Sequence, residues 1–181
     1  MDKIQDLLVG ARVSSMTSAL VVDSLIGPLR LESADGGALS AIRFDGRAEL
    51  GDPLPEAAAP ILLETASQLA AYFAGERHTF DLPLAPAGTD FQRSVWRELA
   101  RIPYGTTVTY GELAARLGLA VAASRAVGSA NGANPIPIVL PCHRVIGADG
   151  TLTGYAGGLS RKQTLLHLEG VATERDQLEL F

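Results

Sequence analysis

The hydrophobic and polar positions of this chain change period along its length. From Ala19, apolar residues recur in short runs. ALVVDSLIGPLRLE predicts two strands around a Gly27–Pro28 turn, and ADGGALSAIRF predicts a turn and a third strand. After the proline-rich connector GDPLPEAAAP the period lengthens. Ile61, Thr65, Leu69 and Tyr72 recur at helical spacing, with Leu62 and Phe73 beside them, and Gly75 closes the helix. DLPLAPAGTD then reads as a linker.

The second half is richer in helix punctuation. Thr89 followed by Gln92 is a capping-box pattern that starts a helix, whose apolar stripe is Phe91, Val95, Trp96 and Leu99. Pro103-Tyr104-Gly105 ends it, and TTVTY is a short β-like stretch. Thr109 with Glu112 repeats the capping box and opens a short helix that stops at Gly118. AASRAVGSAN predicts a third helix, poor in bulky side chains. Three short helices with a tight turn between the last two match the helix-turn-helix plan. PIPIVLPCHRV is an apolar stretch broken by Pro135, Pro137 and Pro141 and reads as extended. IGADGTLTG carries an Asp149–Gly150 turn suited to a hairpin or wing. SRKQTLLHLEG closes as a helix with Leu165 and Leu168 inward and Gly170 as its stop. The fold class expected from these patterns is α+β, an amino-terminal α/β domain followed by a winged helix-turn-helix domain. The boundaries are a tail over 1–17, a domain over 18–80, a linker over 81–88, a second domain over 89–171 and a tail over 172–181.

Composition narrows the setting. A hydrophobic fraction of 47% in 181 residues is ordinary for a folded soluble chain. No apolar run approaches the ~20 residues that span a bilayer. The first residues, with Asp2 and Asp6 around a short apolar run, do not read as a secretory signal. One cysteine allows no internal disulfide and no multi-cysteine zinc site, so a reducing cytoplasmic setting is expected. The net charge of −5 is uneven. Residues 1–85 hold six Lys/Arg and twelve Asp/Glu, whereas 86–170 hold eight and five. The basic second half suits a domain that meets an anion. No Walker pattern is present, and no GxGxxG follows a strand.

The single cysteine, Cys142, lies in NPIPIVLPCHRVIG. Three roles are open from the residues alone. It is a small buried hydrophobe, a metal ligand or a nucleophile. Metal ligation lacks a second thiol nearby. A nucleophile needs a neighbour that favours the thiolate, and His143 and Arg144 are the candidates. On an extended chain adjacent side chains diverge, so a direct Cys142–His143 bond is disfavoured and a bridging water is expected. Glu169 is a candidate to orient the imidazole.

GTDFQRSVWREL, IPYGTTVTYGELA, SRAVGSANGANPIPIVLPCHRVIG and GYAGGLSRKQTLLHLEG together resemble the O6-alkylguanine-DNA alkyltransferases, the methylated-DNA–protein-cysteine methyltransferases, over nearly all of residues 88–170. SLIGPLRL and LAAYFAGE are similar more loosely. The resemblance implies a ribonuclease-H-like amino-terminal domain and direct reversal of DNA damage. Cys142 would accept an alkyl group from O6-alkylguanine, and also from O4-alkylthymine, once and irreversibly, without a cofactor. It implies His143 as a water-relayed base, Glu169 as its orienter and Asn134 as a support of the active-site turn. Tyr110 would hydrogen-bond the leaving base, and Tyr155 and Lys162 would line the pocket. Lys162 reads equally as a solvated helix charge. Arg125 would fill the stack vacated by a flipped base, and the small residues Ala126, Gly128, Ser129 and Ala130 would let their helix approach the minor groove. Ala156 stands where some members have serine, which leaves an O6 contact to its backbone N–H. Members that hold a structural zinc use amino-terminal cysteines absent here, so no metal is expected.

The implied partner is double-stranded DNA carrying O6-alkylguanine. The chain is expected to act as a monomer, with cooperative binding along DNA left open. No catalytic candidate is expected in the amino-terminal domain. The alternatives are a non-catalytic alkylguanine-DNA damage-binding protein, a cysteine hydrolase, and a winged-helix regulator with an inert Cys142.

Overall fold

The computed structural model describes residues 18–44 and 58–172. The tail expected over 1–17, most of that over 172–181 and much of the proline-rich connector lie outside the described residues.

Strands β1 (Ser18–Val22), β2 (Leu29–Ser33) and β3 (Ala41–Arg43) form an antiparallel meander in the order β1-β2-β3. Leu20 faces Leu31, and Leu31 faces Ile42. Leu29, Leu31 and Ser33 are the buried positions of β2, the alternation of a sheet covered on one face. That cover is α1 (Pro60–Phe73), which buries Ile61, Leu62, Thr65, Gln68, Leu69 and Tyr72. Pro60 at its first position supplies a preset φ and no wasted N–H. Gln68 is polar yet buried because its side-chain amide pairs with both backbone groups of Asp81, at 2.9 Å each. The chain after Asp81 then runs beside Leu39, with Leu39 N–H donating to Pro83 O and Ala85 N–H to Leu39 O. The linker is thereby fastened to the first sheet.

In the second half, α2 (Asp90–Leu99), α3 (Tyr110–Arg116) and α4 (Ser124–Gly132) pack together. Both expected capping boxes form, Thr89 with Gln92 and Thr109 with Glu112. Val95, Trp96 and Leu99 are buried, and Trp96 Nε1–H donates to Ala130 O at 2.8 Å, which ties α2 to α4. Gly88 lies against this indole, where a Cβ would fall 2.4 Å from the ring. Phe91 departs from the expected stripe and is 39% exposed, because it sits one turn before the packed part of the helix. The last helix, α5 (Leu159–Leu168), buries Leu165 and Leu166, with Leu168 half-buried.

Two expectations are corrected here. The Asp149–Gly150 turn forms, with Gly147 N–H donating to Thr151 O at 2.9 Å, but no strand follows it. The strand before it, β5 (Val145–Ile146), pairs instead in parallel with β4 (Val108–Thr109). Nor is PIPIVLPCHRV extended. Pro137 to Leu140 form a tight turn with Ile138 at φ 76°, and Cys142–Arg144 is a turn of 3₁₀ helix. Pro141, at φ −79° and ψ 65°, makes the inverse γ-turn between them, closed by Cys142 N–H to Leu140 O at 2.7 Å.

The two halves meet through named bonds. Ile42 N–H donates to Pro135 O, and Arg161 Nε–H to Ile26 O. The Phe44 ring meets that of Tyr155 at 5.5 Å. Thr109 carries the capping box that sets Tyr110 at the start of α3. Thr109→Ala is expected to lower the unfolding free energy by about 1 kcal/mol, and Thr109→Ser to keep most of it, as read from the urea midpoint.

Candidate active site

Cys142 is 4% exposed and begins the 3₁₀ turn. The turn sends the next two side chains to one acceptor. His143 Nε2 lies 2.8 Å from Glu169 Oε1, and Arg144 reaches Glu169 through Nε at 2.8 Å and Nη2 at 2.9 Å. Arg144 Nη1 donates to Ile102 O at 2.6 Å. Arg144 is therefore committed to the carboxylate and is not the cationic neighbour of the thiol that the sequence offers. Glu169 caps the end of α5 and also accepts from Tyr72 Oη at 2.7 Å and from Gly105 N–H at 3.3 Å.

The electrostatics follow from this geometry. Burial opposes the charge on Glu169, but hydrogen bonds from His143 and Arg144 outweigh it and bring the pKa down to about 2. Burial pulls His143 below its ordinary value even though Glu169 favours its charged form, so the imidazole is neutral at pH 7. A carboxylate only accepts, so Nε2 carries the ring proton. Nδ1 keeps its lone pair, and it is buried with no hydrogen-bond partner among the described residues. Burial pushes the Cys142 thiol up to about 11, although Asn134, Lys162 and nearby backbone N–H groups favour the thiolate. The resting sulfur is a thiol beside a neutral base.

Asn134 holds the turn from within. Its Nδ2 donates to Leu140 O at 2.7 Å and its Oδ1 accepts from Ile136 N–H at 3.0 Å. Lys162 is fully buried, which corrects its reading as a solvated charge. Its Nζ donates to Val145 O at 2.5 Å and Thr153 O at 2.8 Å, and burial lowers its pKa to about 8. Tyr155 is 9% exposed with its hydroxyl unpartnered among the described residues. Its loop is braced by Arg161, which donates to Gly157 O and lies 5.5 Å over the Phe44 ring.

Residues 90–171 match the family described as 6-O-methylguanine DNA methyltransferase, DNA binding domain, and residues 20–86 match its ribonuclease-like domain. The chain belongs to the 6-O-methylguanine DNA methyltransferase family. A methylated-DNA–protein-cysteine methyltransferase of Methanosarcina acetivorans is 51% identical over 83% of this chain and 96% of its own. One of Mycobacterium tuberculosis is 50% identical over 88% and 96%. The crystal structure of the M. tuberculosis O6-methylguanine methyltransferase superposes with TM-score 0.75 at 46% identity, covering 90% of this chain and 99% of that one. Another M. tuberculosis structure, in complex with DNA, has TM-score 0.73 at 50% identity over 82% and 90%.

Arg125, Ala126 and Ser129 are exposed on α4, while Val127, Ala130 and Asn131 pack inward. Gly128 lies against the Tyr110 ring, where a Cβ would stand 3.6 Å away. Tyr110 Oη donates to Thr153 O at 3.3 Å, and Gly154 lies beside the same hydroxyl. Ala156 is exposed on the Tyr155 loop. Among the described residues no helix is long and apolar enough to cross a membrane. His78 is exposed and stacks on Tyr104, and His167 is exposed on α5.

Sequence reasoning missed Tyr72 and Arg144 as partners of Glu169. Tyr72 stood in the helical stripe only as an apolar position, and no spacing links it to a carboxylate 97 residues away.

The pH dependence of Glu169 has a definite sign. Its folded pKa of about 2 lies below the ordinary carboxylate range, so its stabilisation is complete above that range and is lost as pH falls toward 2. Glu169→Gln is expected to lower stability by about 3 kcal/mol at neutral pH, because it strands buried Arg144. The difference from wild type should shrink as pH falls below about 4, as measured by denaturant titrations in acid and at neutrality.

Proposed function

We propose that this chain repairs DNA by direct reversal, with Cys142 taking the alkyl group from O6 of a guanine turned out of the duplex. The observation that carries the reading is the buried triad. Cys142 and His143 share one 3₁₀ turn, and Glu169 holds Nε2 of His143 so that Nδ1 faces inward as an acceptor. Family membership and the DNA complex of a close relative support the same conclusion.

In this reading the thiol proton passes through a water to Nδ1 of His143. The sulfur attacks the alkyl carbon as the C–O6 bond breaks, and the bonding pair goes to the base. Tyr110 donates a hydrogen bond at N3 of the leaving guanine, whose developing charge it stabilises. The base regains a proton and the sulfur keeps the alkyl group as a thioether. No step breaks that bond, so each molecule acts once. A thiol held at about 11 fits this use, because it stays unreactive until a substrate and the base are aligned. O4-alkylthymine presents the same alkyl ether to the same sulfur.

Extrusion of the base falls to α4. Arg125 occupies the vacated stack, and the exposed small residues Ala126 and Ser129 let the helix approach the minor groove. Tyr155, the backbone of Ala156 and the loop held by Lys162 form the base pocket. The chain works without metal, as a monomer on duplex DNA, in the reducing compartment that a free thiol requires.

Incubation with duplex DNA containing O6-methylguanine is expected to add about 14 Da per molecule, once, on Cys142. The addition should vanish in Cys142→Ala. An unchanged mass with tight binding would mean a damage binder, and product released beyond one equivalent would mean a hydrolase. Arg125→Ala is expected to slow repair of duplex DNA by about tenfold or more, while a free O6-alkylguanine base reacts as with wild type. Equal slowing on both substrates would sink the stack-filling role.

A further inference from the structure

We infer that Tyr72, on α1 of the amino-terminal half, is a positioning residue for alkyl transfer: its hydroxyl shares the Glu169 oxygen bound by His143 and so sets how basic that histidine is. The inference rests on the triad reading above.

Tyr72 is fully buried, and its hydroxyl donates to Glu169 Oε1 at 2.7 Å. The same oxygen receives His143 Nε2 at 2.8 Å and Arg144 Nη2 at 2.9 Å. Three donors converge on one atom, two from the active-site turn and one from the other half of the molecule. The phenol is a committed donor. Burial, and then the charge of Glu169, raise its pKa well beyond its ordinary value. Its ring is wedged among Phe73, Phe80 and Tyr104, with centroids at 5.4, 5.5 and 6.1 Å, so the hydroxyl has little freedom to leave.

Each donor to a carboxylate takes part of its charge. The other groups facing the pair are Arg144 on the same turn, Lys162 from α5, Cys142 and Tyr155 toward the pocket, and Tyr104 from the loop after α2. Among these, Arg144 satisfies both carboxylate oxygens, whereas Tyr72 acts on Oε1 alone. Removing the hydroxyl leaves Oε1 more negative toward His143. The protonated imidazole is then easier to form. Alkyl transfer needs His143 neutral, so the acid limb of its pH profile must move to higher pH.

The test is the single-turnover rate on O6-methylguanine duplex as a function of pH, for wild type and Tyr72→Phe. The expected result is an acid limb raised by about half a pH unit, so that the rate on that limb is lower by about threefold while the neutral-pH rate changes by less than about twofold, with DNA affinity unchanged. A second variant protects against misfolding. Incorporating 3-fluorotyrosine at Tyr72 keeps the hydroxyl and makes it a stronger donor, so the limb should move to lower pH. Unmoved limbs in the variants that fold, with only melting temperature changed, would overturn the inference and leave Tyr72 as a structural tie. If wild type fails to take one alkyl group on Cys142, the triad reading fails first, and the two failures are thereby told apart.

Discussion

The architecture depends on one buried negative charge. Glu169 is 5% exposed and sits at the carboxyl end of α5, where the helix dipole disfavours an anion. A carboxylate there survives only if donors surround it. Five hydrogen bonds do so, from Tyr72, His143, Arg144 twice, and the backbone of Gly105. These donors come from α1, the loop before β4 and the active-site turn. Satisfying one charge therefore fixes the mutual placement of three segments distant in sequence.

The same constraint explains the shape of the active-site turn. His143 and Arg144 reach one acceptor because a 3₁₀ turn sets consecutive side chains about 120° apart, whereas an extended strand sends them to opposite faces. The prolines enforce the change of direction. Pro141 supplies the φ of the γ-turn, and the strained Ile138 closes the loop before it. The strain is held by burial of Ile136, Ile138 and Leu140 and by the two hydrogen bonds of Asn134. A buried cysteine is the by-product. It is quiet at rest because burial disfavours the thiolate more than Asn134 and Lys162 favour it.

The amino-terminal half is part of this machinery. Tyr72 reaches the carboxylate, Ile42 holds the backbone at Pro135, and Phe44 with the Ile26 carbonyl braces the Tyr155 loop through Arg161. Each contact lands on a segment that surrounds Cys142. The amino-terminal half shapes the site by supplying a donor to Glu169 and an aromatic contact to Tyr155.

What the sequence determined by itself was local. Both capping boxes, the glycine stops and the strand alternation are encoded within a few residues, where spacing dictates geometry. The ordered motifs around Cys142 likewise carried the chemistry and the family. Tertiary structure decided which groups meet. Lys162 reads in its helix equally as a pocket residue or a surface charge, and the fold buries it with its ammonium on two carbonyls 17 and 9 residues away. The partnership of β4 with β5 and the reach of Tyr72 to Glu169 have no local signature either. Hydrogen-bond partners of a buried charge are chosen by proximity in the folded core, and periodicity along the chain holds no record of that choice.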